Sequence, residues 1–139
     1  MKRVIVLQGV SGSGKSTYGR KIAAEFRANG LKVEIVSADD YFIDLGNGTY
    51  AFDVRRLSEA HQQCRDRFLK ALREGKDVIV DNTNSTRREF QWYEDEALRH
   101  GASIRIIQMP HMSAELAAKL TIHEVPVETI RRMLARWEE

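Results

Sequence analysis

Residues 9–17 constrain the fold of this chain more than any other segment. They read Gly-Val-Ser-Gly-Ser-Gly-Lys-Ser-Thr and fit the phosphate-binding pattern G-x-x-x-x-G-K-[ST]. An apolar run at residues 4–7 predicts a buried strand before the turn, and a helical pattern begins at Lys15. In such a turn, backbone N–H groups surround phosphate oxygens, and the helix N-terminus adds the positive end of its dipole. The segment therefore predicts a P-loop that binds a nucleotide.

The residues of this turn have distinct predicted roles. Lys15 should reach the β- and γ-phosphates of a nucleoside triphosphate, and the Ser16 hydroxyl should bind Mg²⁺. The other residues that we predict to contact the bound phosphates are Gly9, Ser11, Gly12, Ser13, Gly14 and Thr17.

Composition narrows the class of protein. The 139 residues are 42% hydrophobic and 30% charged, which is typical of one globular domain spanning residues 1–139. A net charge of +2 is too small to indicate nucleic-acid or membrane binding by itself. The single cysteine, Cys64, excludes an internal disulfide and fits a reducing compartment. No membrane span or signal peptide is recognisable, so we expect a cytoplasmic location.

Predicted strands and helices alternate along the chain. Strands are predicted at residues 1–8, 31–36, 77–80 and 103–109, and helices at 15–29, 54–74, 86–100 and 113–120, with a last helix opened by Pro126. This alternation predicts an α/β fold with a parallel sheet and helices on both faces. Ligands of such sheets bind beyond the carboxyl ends of the strands. The polar clusters 9–17, 37–40 and 81–84 each follow a strand, so we expect them to form one site.

Acidic residues at two of these strand ends are candidates for chemistry. Asp39 and Asp40 follow the second strand, and a carboxylate there could orient or deprotonate the group that attacks the γ-phosphate. Two adjacent residues leave a strand on opposite sides, so we predict that Asp39 is the base. The favoured alternative for Asp40 is a helix cap or an ion pair with an arginine. Asp81 is predicted to hold Mg²⁺, whereas residues 82–84 could bind substrate or cap the next helix.

Basic and aromatic residues add weaker candidates. Arg87, Arg88, Lys119 and His123 could neutralise charge on the transferred group, and the last two of these lie where a mobile lid is expected. Aromatic residues that could stack a base or belong to the core flank the loop after the second strand, namely Tyr41, Phe42, Tyr50 and Phe52. His61 and Cys64 have the spacing of a metal pair but lack further ligands, which favours packing or substrate contact.

Five further motifs accompany the P-loop. They are S-A-D-D-Y-F at 37–42, Y-x-F-D at 50–53, A-H-x-x-C at 60–64, V-D-N-T-N at 80–84 and H-x-V-P at 123–126. In order and spacing they resemble the AAA_33-type P-loop kinases, a group that includes phage-type polynucleotide 5′-hydroxyl kinases. The resemblance implies a three-layer fold whose sheet has about four strands in the order 2-3-1-4. It also implies Mg-ATP as donor, a nucleic-acid 5′-hydroxyl as acceptor, Asp39 as general base, and Asn82 and Asn84 near the acceptor.

The chain departs from that resemblance on the acceptor side. In the polynucleotide kinases an arginine three residues after the base grips the substrate phosphate, and here that position is Phe42. The expected lid carries Lys119 and no arginine, and lysine lacks a bidentate grip on phosphate. Arg87 or Arg88 could substitute, the acceptor could be a nucleoside or nucleotide, or the chain could bind nucleotide without turnover. We predict that Lys119 contacts the donor and that the substrate-binding positions are Asp40, Phe42, Asn82, Asn84, Arg87 and Arg88.

Overall fold

A computed structural model describes residues 2–10, 13–84, 86–109, 115–116, 119 and 126–135. The predicted positions Ser11, Gly12 and His123 lie outside these residues. The strands are β1 Arg3–Gln8, β2 Val33–Val36, β3 Asp77–Asp81 and β4 Ser103–Gln108. The helices are α1 Lys15–Ala28, α2 Asp39–Leu45, α3 Leu57–Arg73, α4 Arg87–Arg99 and α5 Val127–Ala135.

The strands form one parallel four-stranded sheet in the order β2-β3-β1-β4. Val4 pairs in register with Val78 of β3 and with Ile104 of β4. The parallel sheet and its strand order are as predicted. The pairing of Leu7 with Asp81 brings the carboxyl ends of β1 and β3 side by side. The polar segments that follow these two strands therefore start at the same edge of the sheet.

Helices cover both faces of the sheet and make three layers. Successive side chains of a strand point to opposite faces. Val4 and Val6 accordingly lie in one core cluster, which includes Phe68 of α3 and Tyr93 of α4. Leu7 lies in a second cluster with residues of α1. Burying one such large apolar side chain contributes about 1.5–3 kcal/mol, so these clusters fix the strand ends that carry the site.

The segment after β2 is a helix. For this segment the sequence predicts a polar strand end followed by a loop from residue 44. Asp39 and Asp40 occupy the first turn of α2, where negative charge interacts favourably with the helix dipole. With seven residues, α2 is too short to show an amphipathic period in the sequence.

The helix that is predicted to begin at residue 54 begins later in the structure. A 3-10 turn, Val54–Arg56, precedes α3, and Asp53 caps that turn by accepting a hydrogen bond from Arg55 N at 3.0 Å.

The start of α4 follows from its capping. The Glu89 carboxylate accepts a hydrogen bond from Thr86 N at 3.0 Å, which fixes the start of α4.

The helix predicted at 113–120 falls largely outside the described residues, although residues 115, 116 and 119 are helical. Within the described ranges, no helix combines the length and apolar character that a membrane crossing requires.

Candidate active site

The turn after β1 is tightly packed at its base. Gly9 N donates to Thr83 O at 3.1 Å, so the turn is attached to the segment after β3. A Cβ atom on Gly9 would lie 2.6 Å from Ser13 Oγ and 3.0 Å from Met109 Cγ. Gly14 has φ of +84°, a conformation that L-residues adopt only with strain. The two glycines are therefore required for different reasons, one for space and one for backbone conformation.

Lys15 and Asp81 meet at the centre of the site. Lys15 Nζ lies 3.1 Å from Asp81 Oδ1, and the two side chains are only 11% and 9% exposed. This contact is an ion pair. Asp81 Oδ1 is buried and makes no hydrogen bond to the described residues. Ser13 Oγ in the P-loop is buried in the same way. A buried polar atom without a hydrogen bond costs about 1–3 kcal/mol, so Ser13 Oγ is suited to a ligand, and Asp81 Oδ1 keeps its hydrogen-bonding capacity beside the charge of Lys15.

The oxygen ligands at this site suit Mg²⁺, which is often bound partly by substrate phosphates, better than a metal ion that is coordinated by protein side chains alone. Mg²⁺ is usually bound through one or two carboxylates together with substrate phosphates. Asp81 supplies a carboxylate, and Ser16 supplies a partly exposed hydroxyl in the first turn of α1. In the described part of the chain, no group of three or more His, Cys, Asp or Glu residues could hold a metal. The residues present are therefore consistent with Mg²⁺ that binds together with a nucleotide.

Asp39 is the first residue of α2 and follows the end of β2. Its carboxylate accepts a hydrogen bond from the Tyr50 hydroxyl at 3.3 Å, and its backbone N–H donates to Ser37 Oγ at 3.2 Å. Burial raises the pKa of Tyr50, and the nearby charge of Asp39 raises it further. Tyr50 consequently stays protonated at neutral pH and can donate to Asp39. This contact fixes the orientation of the carboxylate that we predict to be the base.

Asp40 has the structural role that we favoured over catalysis. Its carboxylate forms an ion pair with Arg67 of α3, whose guanidinium also donates to Glu34 at 3.0 Å and to Ile35 O at 3.3 Å. The arginine thus joins α3 to β2 and α2. Phe42 is likewise a core residue, because its side chain is 1% exposed and packs with Ala38 and other residues. Its burial leaves no surface for the substrate contact that we predicted.

Asn82 and Asn84 connect the ends of three strands. Asn82 Oδ1 accepts a hydrogen bond from Ala38 N at 2.8 Å, which links the end of β3 to the segment after β2. Asn84 is buried, and its Nδ2 donates to Leu7 O at 2.8 Å and to Asn82 O at 3.1 Å. These hydrogen bonds occupy the amide groups that we expected to face the acceptor. Asn84 therefore braces the base of the P-loop, and the substrate contact of Asn82 stays a prediction.

The basic candidates lie on the surface. Arg87 and Arg88 are exposed on the first turn of α4, with Arg87 Cζ 5.5 Å from the centre of the Phe90 ring. Lys119 is exposed in a helical segment. Their predicted contacts with phosphate remain predictions.

Comparison with known proteins identifies the family. The family model AAA_33, described as an AAA domain, matches residues 4–139. The chain belongs to the AAA_33 family. This AAA_33 domain is 33% identical over 140 residues to human NEDD4-binding protein 2, covering 97% of the chain and 8% of that protein. It is 29% identical over 103 residues to a putative bifunctional polynucleotide kinase/RNA ligase of Autographa californica nuclear polyhedrosis virus, covering 71% of the chain and 15% of that protein.

A solved structure agrees on the fold of the AAA_33 domain. A chain in the structure of the Pnkp1/Rnl/Hen1 RNA repair complex aligns with a TM-score of 0.73 and 22% identity. The alignment covers 97% of this chain and 43% of that one. The two chains therefore share this fold.

Cys64 of the AAA_33 domain is a core residue. It is fully buried, and its sulfur accepts hydrogen bonds from Tyr93 OH at 3.2 Å and from Asn82 Nδ2 at 3.5 Å. Burial raises the pKa of the thiol. The packing interpretation of Cys64 therefore agrees with the structure.

Sequence reasoning did not identify the partner residue in two contacts near the site. The hydrogen bond between Tyr50 and Asp39 joins residues 11 positions apart, and the ion pair between Arg67 and Asp40 joins residues 27 positions apart. Tyr50 belongs to the Y-x-F-D motif, but the motif does not show that the Tyr50 hydroxyl contacts Asp39. No comparable motif marks Arg67.

Proposed function

We propose that this AAA_33 domain is an ATP-dependent kinase that transfers the γ-phosphoryl group of Mg-ATP to the 5′-hydroxyl of DNA or RNA. The observation that carries the proposal is the contact of Lys15 with Asp81 at 3.1 Å in a nearly buried site. Asp39 follows β2, the strand next to β3, and lies at the same edge of the sheet as Asp81. The similarity to a viral protein described as a polynucleotide kinase/RNA ligase supports this choice of acceptor.

On the donor side, Lys15 and the P-loop backbone bind the phosphates of ATP. A lysine ammonium has three donors, so Lys15 can turn from Asp81 to the phosphate oxygens of the bound nucleotide and leave the carboxylate to the metal ion. Ser16 and Asp81 would hold Mg²⁺. The bound ion supplies charge neutralisation for the transferred group. We also expect Lys119 to contact the donor, as the position of the predicted lid suggests.

On the acceptor side, Asp39 accepts the proton of the attacking hydroxyl. A new bond forms between the acceptor oxygen and the γ-phosphorus, and the bond from phosphorus to the β-γ bridging oxygen breaks to release ADP. Tyr50 keeps the Asp39 carboxylate oriented through its hydrogen bond. General-base catalysis of this kind contributes about 10²–10⁴-fold to the rate. Arg87 and Arg88 are the described residues that we propose to contact the acceptor phosphates.

Transfer of label from γ-labelled ATP to oligonucleotides with a 5′-hydroxyl tests the proposal. We expect Asp39→Asn to lower kcat by about 10²-fold or more, because the amide cannot accept the proton. Asp44→Asn changes an exposed aspartate on the same helix and should keep wild-type activity. Lys15→Ala serves as the inactive reference.

Two results would contradict the proposal. Absence of transfer to every DNA and RNA end by the wild-type protein would refute the polynucleotide acceptor. Equal rates for wild type and Asp39→Asn would refute Asp39 as the base while leaving the acceptor in place.

A kinase of a small acceptor is the second candidate. It is favoured by the buried Phe42, which stands where the polynucleotide kinases carry a phosphate-gripping arginine. ADP release measured across nucleosides, nucleotides and oligonucleotides separates the two acceptor classes. Tight ATP binding without stimulation by any acceptor would instead indicate a nucleotide-binding module. A cytoplasmic location also stays a prediction.

A further inference from the structure

Exposed apolar side chains concentrate beside the predicted acceptor site. Seven large hydrophobic residues are exposed in the described part of the chain. Four of them fall within residues 45–57, between the last residue of α2 and the first residue of α3, namely Leu45, Phe52, Val54 and Leu57. The donor site does not use this segment. An exposed apolar side chain beside a predicted acceptor site is a candidate for contact with the ligand.

Three aromatic rings in this region pack against one another between the core and the surface. Phe42 is 1% exposed, and its ring centre lies 6.0 Å from that of Tyr50 and 5.1 Å from that of Phe52. The rings of Tyr50 and Phe52 are nearly parallel, with centres 6.3 Å apart and an interplanar angle of 16°. Phe52 is 54% exposed. We call Phe42, Tyr50 and Phe52 the aromatic platform.

The loop that carries the platform is fastened to α2. Ala51 N donates to Phe42 O at 3.1 Å, which folds the loop back over the helix. The turn is so tight that a Cβ atom on Gly46 would lie 1.8 Å from Thr49 O. Phe52 is therefore held in place by backbone hydrogen bonding and by packing on two rings. A preformed aromatic surface binds a flat ligand at a lower cost in conformational entropy.

The platform is connected to the predicted base. Tyr50 stacks on Phe52 with its ring and donates to Asp39 with its hydroxyl. A ligand whose hydroxyl is placed at Asp39 can therefore reach past Tyr50 to the exposed ring of Phe52. A 5′-terminal nucleotide has this layout, because its hydroxyl and its flat base lie at opposite ends of the sugar.

We propose that Phe52 stacks the terminal nucleobase of the acceptor and so sets the affinity of the site for nucleosides. The inference rests on the proposed function, since it concerns the acceptor of the same reaction. Stacking on an aromatic ring accepts every base, because each base has a π-face. The site should therefore require a base at the 5′ end but discriminate little between bases.

Kinetics with two acceptors test the stacking contact. One oligonucleotide carries a normal 5′-terminal nucleotide, and a matched one lacks the terminal base. We expect Phe52→Ala to raise KM for the normal acceptor about fivefold or more. For the wild type, removal of the terminal base should raise KM by the same factor as Phe52→Ala does. For Phe52→Ala, removal of the base should not raise KM further. Phe52→Trp should retain the low KM, and Leu98→Ala, which truncates an exposed side chain on α4, should match the wild type.

Equilibrium binding provides a readout that does not need transfer. An oligonucleotide with 5′-terminal 2-aminopurine should lose fluorescence when it binds the wild type or Phe52→Trp, and Phe52→Ala should abolish this quenching. Transfer by the wild type with unchanged KM and quenching in Phe52→Ala would overturn the stacking contact and leave the kinase proposal standing. Quenching that depends on Phe52 without transfer to any end would support the contact and overturn the kinase proposal. Absence of quenching by the wild type would overturn the contact.

Discussion

Cys64 and Tyr93 form a buried pair of weak acids beneath the site. Tyr93 donates its hydroxyl hydrogen to Cys64 Sγ, and both side chains are at most 2% exposed. Burial raises the pKa of Cys64 above the ordinary value of 9.0, and burial likewise raises the pKa of Tyr93. The folded protein therefore holds these protons more tightly than the unfolded chain does.

This difference predicts a loss of stability in alkali. Above pH 9 the unfolded chain releases the thiol proton first, so the free energy of unfolding should fall as pH rises through the folded pKa. Cys64→Ser keeps an acceptor for Tyr93 but has no titrating thiol, so its stability should fall less steeply between about pH 9 and 10. Urea midpoints measured at several pH values check this expectation. Identical slopes for the variant and the wild type would contradict it.

Individual residues were predictable from sequence where a motif or a strand end constrains them. The pattern around Lys15 predicts its position at the start of the helix after β1, and the position of Asp81 directly after an apolar strand predicts that it reaches the same edge. Partners across the fold were not predictable. Arg67 is one of several arginines on α3, and only the packing of α3 against β2 selects it as the partner of Asp40.

At the scale of elements, the turn after β3 holds the strand ends together. Asn84 has φ of +52°, which is a left-handed conformation uncommon outside glycine. Its side chain donates to Leu7 O, and Gly9 N donates to Thr83 O in the same region. The turn therefore couples the ends of β1 and β3, on which Lys15 and Asp81 depend.

Two substitutions at Asn84 separate backbone conformation from hydrogen bonding. Asn84→Gly keeps the left-handed backbone but loses the side-chain hydrogen bonds, and we expect a loss of about 1–3 kcal/mol in the free energy of unfolding. Asn84→Ala loses the same hydrogen bonds and adds about 1–2 kcal/mol of backbone strain. Chemical denaturation of both variants measures the difference. Equal stability of the two variants would show that the backbone conformation costs nothing here.

Elements with a strong sequence signal were predicted better than short ones. The apolar strands agree with expectation because burial on both faces requires a continuous apolar run. The long helices α1, α3 and α4 agree because burial of one face dictates their period. Helix α2 escaped prediction, since its seven residues are stabilised by packing of Phe42 rather than by a repeated pattern. The 3-10 turn before α3 depends on the cap provided by Asp53, which equally suits the start of an α-helix.

Across the whole molecule, the three layers support one nucleotide site, so ligand binding should stabilise the entire fold. A ligand that binds only the folded state at 100 times its Kd adds about 2.7 kcal/mol to the free energy of unfolding. We expect Mg-ADP to raise the thermal midpoint of the wild type by several degrees. Lys15→Ala should lose this shift, whereas Lys21→Ala, an exposed lysine on the same helix, should keep it. An equal shift in Lys15→Ala would contradict the predicted site.

With Mg²⁺ held at Asp81 as proposed, the pairing of Lys15 with Asp81 should also link the binding of metal to the binding of nucleotide. A divalent cation that approaches Asp81 alone meets a lysine ammonium already at 3.1 Å. A nucleotide attracts that ammonium to its phosphates and leaves the carboxylate available to the cation. Each ligand should therefore raise the affinity for the other by the same factor, because coupling between two binding equilibria is reciprocal. The domain should accordingly bind magnesium more weakly without nucleotide than with it, by that same factor.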